Sequence, residues 1–339
     1  MKKIKVLIVD DSMLYREVLA KGLAADIDIE VVAKAVDPFD ARDKIIQFQP
    51  EVMILDVQMP KMNGIEFLRR LMPQYPLPTI VISSVSNAVF DAITAGAIDF
   101  VAKPDIQSPH GVERFINELI IKVKTAVYAK PTQVAASGNS AGVVNNTGLP
   151  AHDKIIAIGA STGGTEAIYQ VIKQLPVNIP GIVIVQHIPP VFSRMYAERL
   201  NASTSFQVKE AQTGDKAGPG TILIAPGNEH MQLKKYSDGY RVKCYSGEKV
   251  NGHCPSIDVL FNSVAQEAGA NSIGVILTGM GYDGAKGLLA MRKQGAGTIG
   301  QDEESSVVYG MPKVAYNIGA VKKQVALKNI PHAICASLQ

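Results

Sequence analysis

The chain has 339 residues, of which 47% are hydrophobic and 19% are charged. This length is enough for about two domains of ~150 residues, and the composition excludes a wholly disordered chain. The 34 basic and 31 acidic residues leave a net charge of +3. Because nucleic-acid binding needs basic residues concentrated on one face, this balance predicts no nucleic-acid partner.

The cysteines and the apolar runs limit where the protein can act. Cys244, Cys254 and Cys335 are too few and too widely spaced for a disulfide framework or a four-ligand zinc site. No stretch reaches the ~20 apolar residues that span a bilayer, and Asp10 and Asp11 interrupt the first apolar run. The sequence therefore predicts a cytoplasmic protein with reduced thiols and no membrane insertion.

Short β-branched runs alternate with amphipathic helical stretches in residues 1–124. The predicted strands are residues 5–9, 29–33, 52–55, 79–82 and 100–102, and the predicted helices are residues 15–23, 39–48, 64–71, 88–95 and 112–123. This alternation is typical of an α/β domain with a parallel sheet. We expect a doubly wound domain with five parallel strands.

A change of composition separates this domain from the rest of the chain. Residues 128–150 contain a single charge, on Lys130, and are otherwise small or polar without a periodic apolar face. Segments of this kind cannot bury enough surface to become ordered. The sequence therefore predicts a flexible linker over residues 125–152.

Residues 153–339 again alternate strands with helices. Strands at 154–158, 181–185, 272–277 and 297–300 and helices at 165–174, 194–200, 256–268 and 285–293 predict a second doubly wound α/β domain. Between residues 220 and 248 the pattern changes to strands joined by tight turns, most clearly 232–236 and 240–245. This change predicts an antiparallel hairpin inside the second domain.

Polar side chains follow four of the predicted strands in the first domain. Asp10 and Asp11 follow the first strand, Asp56 the third, Ser83 the fourth and Lys103 the fifth. We expect them to share one crevice, because ligands bind at the carboxyl ends of parallel strands. Crowded carboxylates need a cation, and oxygen ligands suit Mg²⁺. Together with Lys103 and the Ser83 hydroxyl, the three carboxylates indicate phosphoryl transfer to Asp56. The alternative is that each residue merely caps the following helix.

Residues 1–124 therefore resemble a response-regulator receiver domain, which has a flavodoxin-like fold. The resemblance rests on Asp10, Asp11, Asp56, Ser83 and Lys103, and on Met59-Pro60-Xaa-Met62-Xaa-Gly64 after the acceptor. It implies that a histidine kinase phosphorylates Asp56 and that Asp10, Asp11 and Asp56 hold Mg²⁺.

The same resemblance implies the residues that respond to phosphorylation. Ser83 matches the switch hydroxyl and Lys103 the switch lysine. The segment between them is shorter than in most receiver domains, so Ser84 remains an alternative to Ser83. The resemblance also implies a cis peptide bond between Lys103 and Pro104.

A candidate nucleophile follows the first strand of the second domain. The segment Gly159-Ala160-Ser161-Thr162-Gly163-Gly164 precedes a helix, and Gly-x-Ser-x-Gly at such a turn presents a serine beside helix N-terminal amides. The segment is also loosely similar to a glycine-rich phosphate loop. That alternative is weaker, because Ser161 replaces the central glycine and the next strand ends in Gln186-His187 instead of a ribose-binding acid.

Two further side chains complete a candidate hydrolytic site. His187 ends the strand after the one that carries Ser161, and histidine is well suited as a general base near neutral pH. Asp283 follows the strand at 272–277 and either orients this imidazole or caps the helix at 285–293. The order serine, histidine, aspartate differs from that of α/β-hydrolases and argues against their fold.

The whole chain resembles one family, the chemotaxis-specific protein-glutamate methylesterases known as CheB. Besides the receiver domain and the Asp283 segment, the resemblance rests on Ile158-Gly159-Ala160-Ser161-Thr162-Gly163-Gly164, Val185-Gln186-His187-Ile188-Pro189-Pro190, Ala225-Pro226-Gly227-Xaa-Xaa-His230-Met231, Pro255-Ser256-Ile257-Asp258-Val259-Leu260-Phe261 and Gln301-Asp302-Glu303-Glu304. It implies that Ser161 is the nucleophile, His187 its general base and Asp283 the orienting acid, and that the Met280 amide contributes to the oxyanion hole.

The resemblance implies a phosphorylation-regulated serine hydrolase of chemotactic adaptation. Its substrates would be glutamate γ-methyl esters of methyl-accepting chemoreceptors, with release of methanol, and specific receptor glutamines, which many members deamidate. The receiver site would take Mg²⁺, and the esterase would need no cofactor. Cys254 stands where members often carry Arg or Lys, which affects substrate contacts there.

The alternative is a receiver domain fused to a non-catalytic output domain that binds DNA or a nucleotide. DNA binding predicts a small helical domain with clustered basic residues, whereas residues 153–339 are long and α/β in pattern. Nucleotide binding predicts an unbroken glycine motif, which Ser161 interrupts.

Overall fold

The computed structural model describes residues 2–84, 88–104, 108–130 and 153–338. The chain divides into two compact units, with the boundary between Gly138 and Asn139. Most of the predicted linker, residues 131–152, lies outside the described residues. Within the described ranges, no helix combines the length and the apolar character that crossing a membrane requires.

The first unit contains a five-stranded parallel sheet. Its strands are β1 (Ile4–Val9), β2 (Ile29–Ala35), β3 (Val52–Asp56), β4 (Thr79–Ser83) and β5 (Asp99–Ala102), and its helices are α1 (Met13–Ala24), α2 (Pro38–Phe48), α3 (Gly64–Leu71), α4 (Ala88–Thr94) and α5 (Pro109–Ala126). The strand order is β2-β1-β3-β4-β5, which confirms the predicted fold. Helix α5 runs two residues into the predicted linker, so the linker prediction is wrong for residues 125 and 126.

Side-chain caps begin four helices of the first unit. Ser12, Asp37, Asn63 and Ser108 each accept a hydrogen bond from a backbone N–H in the first turn of α1, α2, α3 and α5. Ser12, the residue after Asp10 and Asp11, is therefore a helix cap. The capping alternative is wrong for Asp56, which accepts the Gln58 N–H at 3.3 Å, ahead of a helix that begins only at Gly64.

The second unit contains a seven-stranded parallel sheet and a separate two-stranded sheet. Its strands are β6 (Ile155–Ala160), β7 (Gly181–Gln186), β8 (Gln207–Glu210), β9 (Thr221–Ile224), β10 (His230–Tyr236), β11 (Gly239–Tyr245), β12 (Ser272–Ile276), β13 (Gly297–Gln301) and β14 (Lys323–Val325). Its α-helices are α6 (Gly164–Ile172), α7 (Phe192–Ser203), α8 (Ile257–Glu267), α9 (Ala285–Lys293), α10 (Met311–Asn317) and α11 (Ile330–Leu338). The main sheet has the order β14-β13-β12-β6-β7-β9-β8.

The predicted hairpin is confirmed as β10 and β11. The two strands pair in antiparallel register from His230 opposite Tyr245 to Tyr236 opposite Gly239. Leu233 on β10 is fully buried in the hydrophobic core of the second unit. The hairpin is thus attached to the domain through its apolar face rather than through the main sheet.

The structure corrects the prediction for several short elements. Strand β9 lies in the region expected to form strands with tight turns, yet it pairs in parallel with β7 and β8 in the main sheet. Strands β8 and β14 and helices α10 and α11 were not predicted; β8 and β14 have only four and three residues, too few to show a period. The expected cis peptide bond between Lys103 and Pro104 is wrong, since these two described residues are not joined by a cis bond. A cis peptide bond instead joins Cys254 to Pro255.

The order of the main sheet creates a crevice at its carboxyl edge. Strands β6 and β12 are neighbours, but the chain continues from β6 to β7 on one side and from β12 to β13 on the other. Ligands of open α/β sheets bind at such a switch point. The segments after β6, β7 and β12 carry Ser161, His187 and Asp283.

Candidate active site

Ser161 lies in the turn between β6 and α6. Its N–H donates to the Thr278 carbonyl at 3.0 Å, and its carbonyl accepts the Gly164 N–H at 2.7 Å. Gly163 has a φ of +76°, and a Cβ there would lie 2.7 Å from the Val307 side chain, so both backbone and space require glycine. The expected strand-to-helix turn is present, and its serine is partly exposed.

The register of β6 and β7 brings His187 beside Ser161. The last residues of the two strands, Ala160 and Gln186, are paired, and the His187 N–H donates to the Ala160 carbonyl at 3.1 Å. The imidazole Nε2 lies 3.0 Å from Asp283 Oδ2. The buried Nδ1 has no hydrogen-bond partner among the described residues, so it is available to a hydroxyl group.

Asp283 is a buried carboxylate surrounded by donors. Besides the His187 ring, the side chains of Asn251 and Ser256 donate to it at 2.7 and 2.8 Å, and the Ile257 N–H donates at 2.7 Å. Burial alone would raise the pKa of Asp283, but the hydrogen bond and charge of His187, with the other donors, hold this pKa well below its ordinary value. The carboxylate therefore stays ionised and can stabilise an imidazolium.

The structure decides against the alternative in which Asp283 caps the helix at 285–293. Helix α9 has Gly284 at its N-cap and receives no side-chain capping bond. Asp283 instead accepts the N–H groups of Ile257 and Asp258, at 2.7 and 3.3 Å, at the start of α8. The carboxylate thus lies at the positive end of α8 while it holds His187.

Sequence reasoning missed two residues that surround this pair. The His253 ring stacks on the His187 ring, with centroids 3.7 Å apart and planes inclined by 9°. The Asn251 amide donates both to Asp283 and to Asp258, at 2.7 and 2.8 Å. Asn251 and His253 lie four and two residues before the segment that begins at Pro255, so their position shortly before a helix start was the available signal.

Met280 follows β12 in a segment that passes close to Ser161. A Cβ on the neighbouring Gly279 would lie only 2.6 Å from Ser161 Cβ. The Met280 N–H donates to no acceptor in the part of the chain that the structure describes. An unengaged amide next to a nucleophile is suited to bind a developing oxyanion.

The first unit brings its candidate acidic residues together at the carboxyl edge of its sheet. Carboxylate oxygens of Asp10, Asp11 and Asp56 lie within 4.8 Å of one another; Asp10 and Asp56 are buried, and Asp11 is exposed. Mg²⁺ is bound through a few carboxylates while it keeps several waters. The donor set, with its exposed side, therefore fits the Mg²⁺ that the sequence predicts.

Lys103 links the two buried carboxylates of this site. Its Nζ lies 2.8 Å from Asp10 Oδ2 and 2.7 Å from Asp56 Oδ2. Burial opposes the charge of the lysine, but the hydrogen bonds to both carboxylates raise the pKa of Lys103 above its ordinary value. Burial is also the main reason that the pKa of Asp56 is raised, with a contribution from Asp10 and opposition from Lys103.

The two candidate switch serines occupy different environments. Ser83 is the last residue of β4 and pairs with Ala102, directly before Lys103. Its hydroxyl is buried and has no hydrogen-bond partner within the described ranges, whereas Ser84 is exposed. Position and burial therefore favour Ser83, whose hydroxyl needs an acceptor.

Comparison with known proteins identifies the family. Residues 156–334 match the family model of the CheB methylesterase, and residues 6–110 match that of the response regulator receiver domain. A "protein-glutamate methylesterase/protein-glutamine glutaminase 2" of Syntrophomonas wolfei is 59% identical over 338 residues, which are 98% of this chain and 97% of that protein. The chain belongs to the CheB methylesterase family.

Further relatives agree with this assignment. A protein-glutamate methylesterase/protein-glutamine glutaminase of Escherichia coli K12 is 46% identical over 343 residues, which cover 100% of this chain and 98% of that protein. The crystal structure of the Thermotoga maritima CheB methylesterase catalytic domain matches with a TM-score of 0.53 at 36% identity, over 54% of this chain and 97% of that one. The predicted α/β fold of the second unit is confirmed, and an output domain that binds DNA or nucleotides is not favoured.

Proposed function

We propose that this chain is a phosphorylation-regulated protein-glutamate methylesterase that also deamidates protein glutamines. Relatives that match nearly the whole chain carry this name. The observation that carries the proposal is the 3.0 Å contact of His187 with the buried Asp283, directly after the strand that pairs with the strand before Ser161. The substrates would be methyl-accepting chemoreceptors, and the role would be chemotactic adaptation.

The first half of the reaction forms an acyl-enzyme. Ser161 Oγ attacks the γ-carbonyl carbon of the methylated glutamate while His187 Nδ1, the nitrogen opposite the Asp283 contact, takes the hydroxyl proton. The Met280 N–H donates to the oxyanion, a contribution of ~3–4 kcal/mol per donor in other hydrolases. Asp283 stabilises the imidazolium, which then protonates the leaving methanol oxygen as the carbon–oxygen bond breaks.

The second half hydrolyses the acyl-serine. His187 takes a proton from water, whose oxygen attacks the same carbonyl carbon, and returns the proton to Ser161 Oγ as the ester bond breaks. The product is a glutamate carboxylate. A glutamine side chain would follow the same two steps with ammonia as the leaving group.

The first unit would supply the regulation, as a receiver domain over residues 1–124. A histidine kinase would transfer a phosphoryl group to Asp56, and Mg²⁺ held by Asp10, Asp11 and Asp56 would neutralise charge on that group. Lys103 provides a fixed positive charge 2.7 Å from the acceptor carboxylate. Phosphorylation adds about −1.5 to −2 charge at this point, to which Ser83 and Lys103 would respond.

The resemblance further implies that the unphosphorylated receiver inhibits the esterase. Residues 153–339 would form the catalytic domain, and phosphorylation would relieve the inhibition. Chemoreceptor cytoplasmic segments as substrates, and a cytoplasmic location, belong to the same proposal.

Replacement of the nucleophile is the decisive test. Ser161→Ala should lower methanol release from methylated receptor by as much as ~10⁶-fold, the size seen for a serine nucleophile elsewhere. Phosphorylation of Asp56 by a small phosphodonor with Mg²⁺ should stay intact. Ser203→Ala, at the exposed end of α7, is the matched control with unchanged activity. Methanol release by Ser161→Ala at the wild-type rate would refute the proposal.

A further inference from the structure

Two buried glutamines end the strands on either side of the central strand pair, and the mechanism above uses neither. Gln186 is the last residue of β7 and Gln301 the last residue of β13. Strands β7 and β13 flank the adjacent strands β6 and β12. Only 3% of Gln186 and 0% of Gln301 is exposed. Because burial of an amide is unfavourable unless it is hydrogen-bonded, their partners should reveal why they are present.

Gln186 binds the backbone of the nucleophile and of the base. Its Nε2 donates to the carbonyls of Ser161 and His187, at 2.9 and 3.1 Å. Its buried Oε1 has no donor within the described ranges and lies 2.1 Å from where a Cβ on Gly164 would stand. The amide therefore acts here only as a donor. Its donor group bridges the two carbonyls, while its oxygen stays without a hydrogen bond among the described residues.

Gln301 acts on the other backbone group of the same residue, the N–H of Ser161. Its Oε1 accepts the Thr278 N–H at 2.8 Å, and the Thr278 carbonyl accepts the Ser161 N–H at 3.0 Å. Its Nε2 donates to the Ser305 carbonyl at 2.7 Å. The backbone N–H of Ser161 is thus tied to Gln301 through one residue, and its carbonyl is tied directly to Gln186.

We propose that Gln186 and Gln301 form a glutamine clamp, a pair of positioning residues that fix the Ser161 backbone so that its hydroxyl meets His187. The clamp contacts no reacting atom and acts through Ser161, so the inference rests on the proposed nucleophile. Its importance follows from geometry, because a displacement of ~1 Å in a reacting group can lower a rate by about 100-fold.

Substitutions at the two positions separate hydrogen bonding from volume. Methionine keeps the approximate size of glutamine but neither donates nor accepts as an amide does. Glutamate keeps the acceptor oxygens and loses the amide donors. At position 301 glutamate should preserve the bond from Thr278 N–H but lose the donor to the Ser305 carbonyl. At position 186 it removes both bonds and places an anion against two carbonyls.

The experiment measures methanol release from methylated receptor by the full chain with Mg²⁺ and a small phosphodonor. We expect Gln186→Met and Gln186→Glu to lower kcat by about 10- to 100-fold while KM for the receptor changes by less than about 3-fold, because substrate-binding groups are untouched. Gln301→Met should lower kcat by about 10-fold or more, and Gln301→Glu, which keeps only the bond from Thr278 N–H, should recover part of that loss.

Two controls distinguish positioning from general destabilisation. Ser263→Ala removes a buried side chain that binds the Leu233 N–H and the Leu260 carbonyl, in the same unit; it should lower the melting temperature and leave kcat unchanged. Ser161→Ala, measured in parallel, tests the proposed function separately, since it should be inactive whether or not the clamp exists.

Wild-type kcat in folded Gln186→Met would overturn the proposed positioning role. The same conclusion would follow if Ser263→Ala lost as much kcat as the Gln186 and Gln301 variants at an equal loss of melting temperature. Should the Gln186 variants not fold, the Gln301 pair decides. Wild-type kcat for folded Gln301→Met would show that the bond from Thr278 N–H has no role in positioning.

Discussion

Asp56 and Asp283 are both buried aspartates near the carboxyl edge of a parallel sheet; Asp56 ends β3, and Asp283 follows β12. They differ in the number of hydrogen-bond donors around them. Asp283 accepts four hydrogen bonds of 3.0 Å or shorter, from three side chains and one backbone N–H. Among the described residues Asp56 has one such partner, Lys103 at 2.7 Å, which it shares with the carboxylate of Asp10. Asp283 is therefore saturated with donors, whereas Asp56 is not.

This difference decides the chemistry of the two carboxylates. The donors around Asp283 overcome its burial and lower its pKa, so it is a fixed anion with its oxygens occupied. At Asp56 burial prevails over Lys103, and Asp10 adds repulsion, so its pKa is raised and the site favours a cation and an attacking role. The same residue type is thus suited to orient a base in one unit and to accept a phosphoryl group in the other.

Among changes that test the contrast between the two aspartates, removal of the charge at Asp283 should have the largest effect. We expect Asp283→Asn to lower kcat for methanol release by ~10⁴-fold, because an amide no longer stabilises the imidazolium. Asp258→Asn is the matched control, since Asp258 binds the Asn251 amide and the Gly287 N–H and has no contact with His187. Similar losses in both variants would mean that the buried network, and not the orientation of His187, limits the reaction.

Removal of the receiver should have the next largest effect. Deletion of residues 1–150 should raise basal esterase activity by a factor between about 5 and 150, the usual range of coupling between two sites. Methanol release is compared with that of the unphosphorylated full chain at equal concentration. A truncated protein no faster than that chain would show that the receiver does not inhibit.

The corresponding change at Asp56 should affect only regulation. Asp56→Asn should incorporate no phosphate, lose the stimulation by phosphodonor and Mg²⁺, and keep the basal rate of methanol release within about 2-fold, because the triad is unaltered. Asp43→Asn, at an exposed position on α2, should retain full stimulation. Stimulation that persists in Asp56→Asn would place the acceptor elsewhere.

The smallest effects should be changes of stability with opposite sign. With its pKa lowered from 3.8, Asp283 contributes stability above about pH 4 that is lost as the pH falls through the folded value. With its pKa raised from 3.8, ionised Asp56 opposes folding at neutral pH, and this opposition disappears in acid. Calorimetry at pH 7 without Mg²⁺ should show a lower melting temperature for Asp283→Asn and a higher one for Asp56→Asn.

Acidification provides the internal check on these signs. The difference for Asp56→Asn should shrink first as the pH is lowered towards about 4, because the raised pKa lets the wild-type carboxylate take up a proton early. The difference for Asp283→Asn should persist to about pH 4 and shrink only below it, because the folded pKa of Asp283 is lowered. A destabilised Asp56→Asn variant at pH 7 would show that Lys103 outweighs burial and the repulsion from Asp10.

Local sequence was sufficient for the main strands and for the positions of the site residues. Apolar β-branched runs indicate buried parallel strands, and the polar residue that follows each run must lie at the carboxyl edge of the sheet. The placement of Asp10, Asp56, Ser161 and His187 could therefore be predicted from short segments. The glycines around Ser161 likewise indicate a turn that larger residues could not form.

Tertiary structure alone decided how these residues are used. Four features depend on partners that are far apart in the chain: the capping of α8 rather than α9 by Asp283, the contact of His187 through Nε2, the stacked His253 and the two glutamines. His187 and Asp283 are 96 residues apart, and Ser161 and Gln186 are 25 apart. Periodicity reports which face of an element is buried, but not which atoms meet across it. Those contacts arise only when the packed sheet fixes distances and directions to within a few tenths of an ångström.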